Sequence, residues 1–324
     1  MRLFFILFFI LIVTVAHTVD AQRKSELDFY EMINPKLLLK VEPAYPSPGE
    51  SVTITINDYR GGTYGSTITW LHDGKVVAEA ENRRSVVVNA GELNNETKIE
   101  AVLSKPSGGK EVLSTTIKPV YLDIVIEAQT RVPEFYLGKA LPSTGSMVNA
   151  TALVNDGDIR TDLVYTWRLN REVLEGGPIR KRNQVSFSAP RDTRSTLIVE
   201  AAEPSGNILA RKTMSLPTVI PSLSFYEVSS LFGVSQKPID QELILVGNTA
   251  TIQAEPYNLD IRVYNNPDIA QWKINSSVSQ NQGSNPYQIT FQPTGVAESA
   301  RLGFHVRDTT DVLQGARDNI QVRF

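Results

Sequence analysis

Residues 68–77 read ITWLHDGKVV, a short apolar run around one tryptophan that ends in the turn dipeptide Asp73-Gly74. The same arrangement returns at residues 164–174 (VYTWRLNREVL) and, more loosely, at residues 269–276 (IAQWKINS). These three stretches hold all three tryptophans of the chain, which lie 97 and 105 residues apart. A repeat of about 100 residues with one tryptophan on a strand is typical of tandem β-sandwich domains.

The turns around each tryptophan keep nearly the same spacing. A glycine precedes the tryptophan by 21, 22 and 25 residues, at Gly49, Gly145 and Gly247. A hairpin follows it by 36, 37 and 36 residues, at Pro106, Pro204 and Asp308. Three landmarks at matched distances indicate a true repeat, and the third copy is the most diverged.

The local patterns between these landmarks are those of strands. Residues 51–56 (SVTITI) alternate polar and apolar side chains, as a half-buried strand does. No stretch after the N-terminal segment has the pattern of a normal helix, and short proline-bearing joints at 118–120 and 216–221 predict an array with little hinging. We therefore predict an all-β chain of three tandem Ig-like β-sandwich domains, at residues 36–119, 120–217 and 218–324, after a signal peptide.

Residues 1–21 have the pattern of that signal peptide. A short basic start is followed by an apolar run to Ala16, and Val19 and Ala21 provide small residues at the −3 and −1 positions of a cleavage site. Cleavage after Ala21 would leave residues 22–35 as a flexible lead-in. The alternative is an uncleaved N-terminal anchor, because the apolar run approaches the length of a short membrane span. No later stretch is apolar for long enough to span a membrane, so the mature chain is expected to be soluble or peripheral, in the periplasm, at the cell surface or outside the cell.

The composition limits the classes of partner that the chain is expected to bind. The 324 residues include no cysteine, which favours a prokaryotic exported protein, because animal Ig-like domains usually carry an inter-sheet disulfide. The formal net charge of −3 argues against nucleic acid as a partner. Proteins of the cell envelope or cell surface are the expected partners, with no required cofactor.

The combined pattern resembles the bacterial Ig-like and PKD-like domains of exported surface proteins. It consists of a P-x-x-G turn, an alternating strand, a W-x-x-[DN] strand and a P-S-G hairpin, and the resemblance covers residues 36–324. The resemblance implies a β-sandwich architecture and a place at the cell surface.

Three groups of residues are candidates for specific roles. The tryptophans Trp70, Trp167 and Trp272 are predicted to fill the three cores, with exposed platforms for a glycan as the alternative. The carboxylates of Asp156, Asp158 and Asp162 share one loop and could bind Ca²⁺, although the same residue types also make ordinary turns. Five basic residues form a predicted basic face that could bind an anionic polymer or serve only as a solvated strand edge: Arg168, Arg171, Arg180, Lys181 and Arg182.

Two short segments match known functional motifs but lie in the wrong context for those functions. Residues 141–145 read LPSTG, the sortase sorting pattern, but 179 further residues follow and the segment falls on the repeat turn. Ser107-Gly-Gly-Lys110 fits a penicillin-binding nucleophile pattern but lies in a glycine-rich hairpin. No nucleophile–histidine or zinc-ligand spacing is found, so we predict a non-catalytic structural, adhesion or assembly module, with a carbohydrate- or anion-binding module as the alternative.

Overall fold

The computed structural model describes residues 37–59, 61–155, 162–192, 194–279, 283–293 and 298–324. These residues form two compact units, one built on residues 37–121 and the other on residues 122–154 and 162–324. Both units consist mainly of antiparallel strands and short turns, so the chain is all-β as predicted. The described residues include no helix of the length and apolarity needed to cross a membrane.

The first unit is one Ig-like sandwich made of two sheets. One sheet has the order β1-β2-β5 and the other β4-β3-β6-β7. Their facing side chains form one buried cluster around Trp70, which is completely inaccessible to solvent. The tryptophan therefore lies on the third strand, as in immunoglobulin domains. The strand bounds are β1 Leu37–Glu42, β2 Ser51–Asp58, β3 Thr67–His72, β4 Lys75–Val76, β5 Ser85–Asn89, β6 Thr97–Ser104 and β7 Lys110–Ile117, with a 3-10 helix at Ala78–Ala80.

The second unit begins with a similar pair of sheets. Their orders are β14-β10-β8 and β12-β11-β15-β16, and β13 also pairs with β11. Trp167 lies on β11 and is buried together with Val199 of the neighbouring β15. The bounds are β8 Tyr121–Ala128, β9 Thr130–Arg131, β10 Met147–Asn155, β11 Val164–Leu169, β12 Glu172–Val173, β13 Ile179–Arg180, β14 Gln184–Ser188, β15 Ser195–Ala202 and β16 Ile208–Leu216, with a 3-10 helix at Leu174–Gly176.

A third pair of sheets completes the second unit. Their orders are β18-β17-β20-β24 and β19-β26-β25-β22-β23, and Trp272 lies in the buried cluster between them. The bounds are β17 Ser222–Ser229, β18 Gly233–Ile239, β19 Glu242–Ile244, β20 Ala250–Tyr257, β21 Leu259–Asp260, β22 Ile269–Ile274, β23 Ser277–Ser279, β24 Gln288–Phe291, β25 Ser299–Arg307 and β26 Gly315–Arg323, with one short helix, α1, at Ile261–Asn265.

The W-x-x-[DN] motif has the same structural role in all three sandwiches. The residue three positions after each tryptophan begins a tight turn with a positive φ: 49° at Asp73, 57° at Asn170 and 47° at Asn275. Its side-chain oxygen accepts a hydrogen bond from a backbone N–H at the start of the adjacent long strand, at 2.8 to 2.9 Å. Aspartate and asparagine tolerate this backbone conformation and also supply the acceptor, which explains the motif.

The three pairs of sheets do not separate into three equally independent bodies. The first pair is a compact unit of its own, whereas the second and third pairs belong to one compact unit. The domain boundaries at residues 120 and 218 therefore remain a prediction.

Candidate functional site

The three tryptophan side chains lie inside the sandwiches. The exposed fractions are 0%, 4% and 1% for Trp70, Trp167 and Trp272, which leaves no aromatic platform for a glycan at these positions. The indole N–H groups differ. Trp70 Nε1 donates to the Arg83 carbonyl at 2.9 Å and Trp272 Nε1 to the Pro286 carbonyl at 3.0 Å, whereas the buried Trp167 Nε1 has no acceptor among the described residues.

The predicted basic face of the second sandwich is largely neutralised. Three of its five side chains form ion pairs: Arg168 with Glu200 at 3.9 Å, Arg180 with Asp162 at 3.2 Å, and Arg182 with Glu175 at 2.9 Å. Glu200 also pairs with Arg211. Arg171 lies at the tip of a turn, and Lys181 lies in another turn with a positive φ. An anion-binding role for this face remains a prediction.

The predicted calcium loop falls mostly outside the described residues, which exclude Asp156 and Asp158. Asp162 is described, and its carboxylate accepts a hydrogen bond from Arg180. Within the residues that the structure describes, no group of three or more His, Cys, Asp or Glu side chains is arranged to hold a metal ion. Calcium binding at this loop therefore also remains a prediction.

The most unusual local structure is the joint between the second and third sandwiches. The second sandwich has an 18-residue connection, residues 129–146, between its first two long strands, whereas the equivalent connection of the first sandwich is the 8 residues 43–50. The extra length carries β9, which pairs antiparallel with β21 of the third sandwich. It also carries Phe135 and Tyr136, whose rings make edge contacts with Tyr226 and Tyr257 at 5.2 and 5.4 Å.

Asp260 is the central charged residue of this joint. It is completely inaccessible to solvent. Its carboxylate accepts a hydrogen bond from the Met147 backbone N–H at 3.0 Å, and from the Arg262 backbone and side chain at 2.8 to 3.0 Å. Burial alone would raise the pKa of the Asp260 carboxyl, but these hydrogen bonds outweigh burial and lower the pKa below its ordinary value. The aspartate is therefore ionised and joins the third sandwich to β10 of the second.

Gln314 extends this network. Its side-chain oxygen accepts from the Asp260 backbone N–H at 2.9 Å, and its side-chain N–H group donates to the Ser143 hydroxyl at 3.0 Å and to the Thr144 carbonyl. Ser143 and Thr144 belong to the LPSTG segment, which forms a turn closed by the Ser146 N–H to Ser143 carbonyl hydrogen bond. The segment that resembles a sorting signal is thus part of the joint, and its Pro142 and Ser143 are buried.

A second charged pair lies beside a group of tyrosines in the same joint. Arg131 of β9 approaches the Glu255 carboxylate at 3.7 Å, and its guanidinium lies 4.9 Å from the centre of the Tyr264 ring. Tyr264 stacks on Tyr287 with ring centres 4.5 Å apart. Glu255 is 3% exposed, and its Oε2 atom has no hydrogen-bond partner among the described residues. Burial therefore raises the pKa of the Glu255 carboxyl, and Arg131 and Gln253 only partly offset this effect.

The raised pKa of Glu255 gives a pH-dependent prediction. Because the folded protein holds this proton more tightly than the unfolded chain, the contribution of Glu255 to stability decreases as the pH rises from about 4.5 through the folded-state pKa. Glu255→Gln removes this titration. We expect the stability of the wild type to fall relative to Glu255→Gln as the pH rises from 4.5 to 7, measured by chemical denaturation at each pH with hydrogen exchange at β20 as the local probe.

The comparison with Glu255→Gln cancels the titration of every other group in the chain. The contribution of Asp260 to stability depends on pH in the opposite direction, since it is lost as the pH falls through the lowered pKa of Asp260. A constant difference between wild type and Glu255→Gln from pH 4.5 to 7 would show that Glu255 does not titrate in this window.

Comparison with known proteins adds only a likeness of fold. No family model matches the chain, and no curated protein matches it. Similar solved structures include fibronectin(III)-like modules of Clostridium thermocellum CbhA, at 10% identity and a TM-score of 0.27, which cover 56% of this chain and 94% of that one. The three N-terminal domains of the bacteriophage RB49 outer capsid protein Hoc give 10% identity and a TM-score of 0.26, with 89% of this chain and 98% of that one covered.

A third similar structure is from a 1.5-MDa bacterial ice-binding adhesin, in a study of its retention at the host cell surface. It has 10% identity and a TM-score of 0.24, and the match covers 88% of this chain and 96% of that one. Identities and scores at this level do not indicate a function, and we base no functional inference on them. The strand order and the buried tryptophans define the class of the protein from its own residues: an array of Ig-like β-sandwiches.

The sequence contained one signal for the joint. Residues 132–140 (VPEFYLGKA) lie between the first strand of the second repeat and its P-x-x-G type turn, where the first repeat has no equivalent. The repeat spacings are measured from the turn glycine, Gly145, so they do not register an insertion that precedes it. Comparing the lengths of the first connections would have found it.

Proposed function

We propose that the chain is an exported, non-catalytic Ig-like array that acts as a structural, adhesion or assembly module in the periplasm or at the cell surface. The observation that carries this proposal is the joint between the second and third sandwiches. It places Asp260, Glu255 and Gln314 in buried positions, each at most 3% exposed, where they connect two sandwiches.

Burying these polar groups is costly in free energy unless they are paired, and apolar side chains could fill the same space. The polar network fixes the relative orientation of the two sandwiches, because hydrogen bonds are more directional than apolar contacts. A fixed orientation is useful to a module that must hold a partner at a set position. Export follows from residues 1–21, and cleavage there predicts a mature chain that begins at Gln22.

The proposal is tested by crosslinking the native protein in its own cells, followed by fractionation and mass spectrometry. We expect reproducible capture of identified envelope or surface proteins and a mature N-terminus at Gln22. Recovery of the protein as a free monomer in the medium, with no crosslinked partner, would overturn the assembly role.

A matched pair of variants connects this test to the joint. Gln314→Ala removes two hydrogen bonds to the second sandwich and one to the Asp260 backbone within the third. Gln241→Ala makes the same chemical change at an exposed position. If a fixed orientation matters, Gln314→Ala reduces capture and Gln241→Ala does not, whereas equal capture by both variants would separate assembly from the geometry of this joint.

A further inference from the structure

The outer face of the third sandwich carries a second, unpaired cluster of positive charge. On the sheet β19-β26-β25-β22-β23, apolar residues such as Trp272 and Phe304 point inward, so their neighbours point to solvent. Three cationic side chains of neighbouring strands line one cleft of about 330 Å³: Lys273 of β22, Arg301 of β25 and Arg317 of β26. Among the residues that the structure describes, none of the three forms an ion pair.

The surroundings of His305 reflect the same excess of positive charge. This side chain lies in the cleft, directly across from Gln271 on one side and Arg317 on the other. Burial lowers the pKa of His305, and the nearby charges of Arg307, Arg317 and Lys273 lower it further. The charged groups that shift the pKa of His305 are all cations. The lining of the cleft also includes one carboxylate, that of Asp318.

The floor of the cleft is a glycine that the fold does not require. Gly303 lies mid-strand between Lys273 and Asn319. A Cβ atom added there would meet its nearest neighbours at 3.5 and 3.6 Å, which is ordinary contact, and its φ is not positive. Gly315 of the same sheet differs, because a Cβ there would lie 2.8 Å from the Arg307 Cβ. A glycine that packing does not demand, in the middle of a strand, indicates that something approaches the backbone closely.

The side chains around the cleft indicate the chemistry of that ligand. The cations suit a carboxylate or sulfate, and the amides of Gln271 and Asn319 offer both donors and acceptors, which suits hydroxyl groups. The described lining residues present no exposed aromatic ring on which a nucleic-acid base could stack. We propose that this cleft binds an acidic saccharide, with Lys273, Arg301 and Arg317 holding its anionic groups and Gln271 and Asn319 its hydroxyls.

This proposal goes beyond the structural role proposed above and does not depend on it. The test uses the purified mature chain and isothermal titration with three probes: oligogalacturonate, its methyl ester and a heparin oligosaccharide. The methyl ester keeps the sugar and removes the charge. We expect at least one acidic oligosaccharide to bind, with an affinity that decreases as the salt concentration increases. If oligogalacturonate binds, its methyl ester should bind at least tenfold more weakly.

Variants locate the binding. Lys273→Gln and Arg317→Gln remove one exposed cation each and should weaken binding by about fivefold. Gly303→Val fills the floor of the cleft and should weaken it by more than about tenfold, while the melting temperature stays the same or rises because valine favours strands. Lys75→Gln of the first sandwich, an exposed cation outside both basic surfaces, is the matched control and should leave the affinity unchanged. Bound ligand should also raise the pKa of His305, which can be measured by NMR titration of this side chain.

Several outcomes would overturn the proposal. No binding of either acidic oligosaccharide, or equal binding of the methyl ester, would remove the acidic saccharide as the ligand. Unchanged affinity in Lys273→Gln and Arg317→Gln would place the binding elsewhere, whether or not Gly303→Val folds. Tighter binding of polyglutamate than of the acidic oligosaccharides would make an acidic protein the partner instead.

Discussion

Asp260→Ala is expected to lower the free energy of unfolding of the second unit by about 3 kcal/mol, because it deletes a buried acceptor of four hydrogen bonds. The backbone N–H of Met147 loses its partner inside the joint, and this desolvated donor contributes most of the cost. The Arg262 side chain is two-thirds exposed, so water can solvate it after the change.

Chemical denaturation of the mature chain measures the loss of stability, and hydrogen exchange locates it. We expect faster exchange at residues 129–131, 147 and 258–261, and little change in the first unit. Asp260→Asn keeps one oxygen acceptor and should lower the free energy of unfolding by about 1 to 2 kcal/mol. Arg262→Ala removes an exposed partner and should lower it by about 1 kcal/mol or less. A loss below 1 kcal/mol for Asp260→Ala, with unchanged exchange at these segments, would show that Asp260 does not hold the joint.

Trp272→Ala is expected to lower the free energy of unfolding by about 3 to 5 kcal/mol, because it empties the centre of a closely packed core. The ring contacts Phe225 and Phe304, with ring centres 6.0 and 4.7 Å away, and these contacts disappear with it. The same cost is expected for Trp70→Ala in the first unit, where the tryptophan is also fully buried.

Phenylalanine substitutions separate packing from hydrogen bonding. Trp70→Phe and Trp272→Phe leave the Arg83 and Pro286 carbonyls without this donor, whereas Trp167→Phe removes an indole N–H that has no acceptor among the described residues. Trp167→Phe should therefore cost about 1 to 2 kcal/mol less than the other two. Equal losses at all three positions, measured by denaturation under the same conditions, would contradict this assignment.

The repeat and its cores could be predicted from the sequence because they depend on local chemistry. An alternating strand, a tight turn and one large apolar residue act over a few neighbouring positions, so residues 51–56 and the turn at Asp73-Gly74 read correctly without a structure. The W-x-x-[DN] motif was visible for the same reason, although the long-range hydrogen bond that its side chain accepts was not.

The charged surfaces could not be predicted in this way, because their behaviour depends on cross-strand register. Five basic residues close in sequence suggested a basic face on the second sandwich, yet Glu200, about 30 residues beyond Arg168, lies beside it in the folded sheet. On the third sandwich, Lys273, Arg301 and Arg317 are scattered in sequence and gave no signal, but the pairing of three strands brings them to one cleft.

The sequence by itself therefore determined the all-β class, the repeat and the buried tryptophans, because each follows from side chains that are neighbours along the chain. Only the tertiary structure decided how the second and third sandwiches are joined and which cations remain unpaired. Gln314 meets Ser143 across 171 positions, and Asp260 meets Met147 across 113. Contacts at such separations depend on how completed sheets pack together, and no local pattern of residues encodes them.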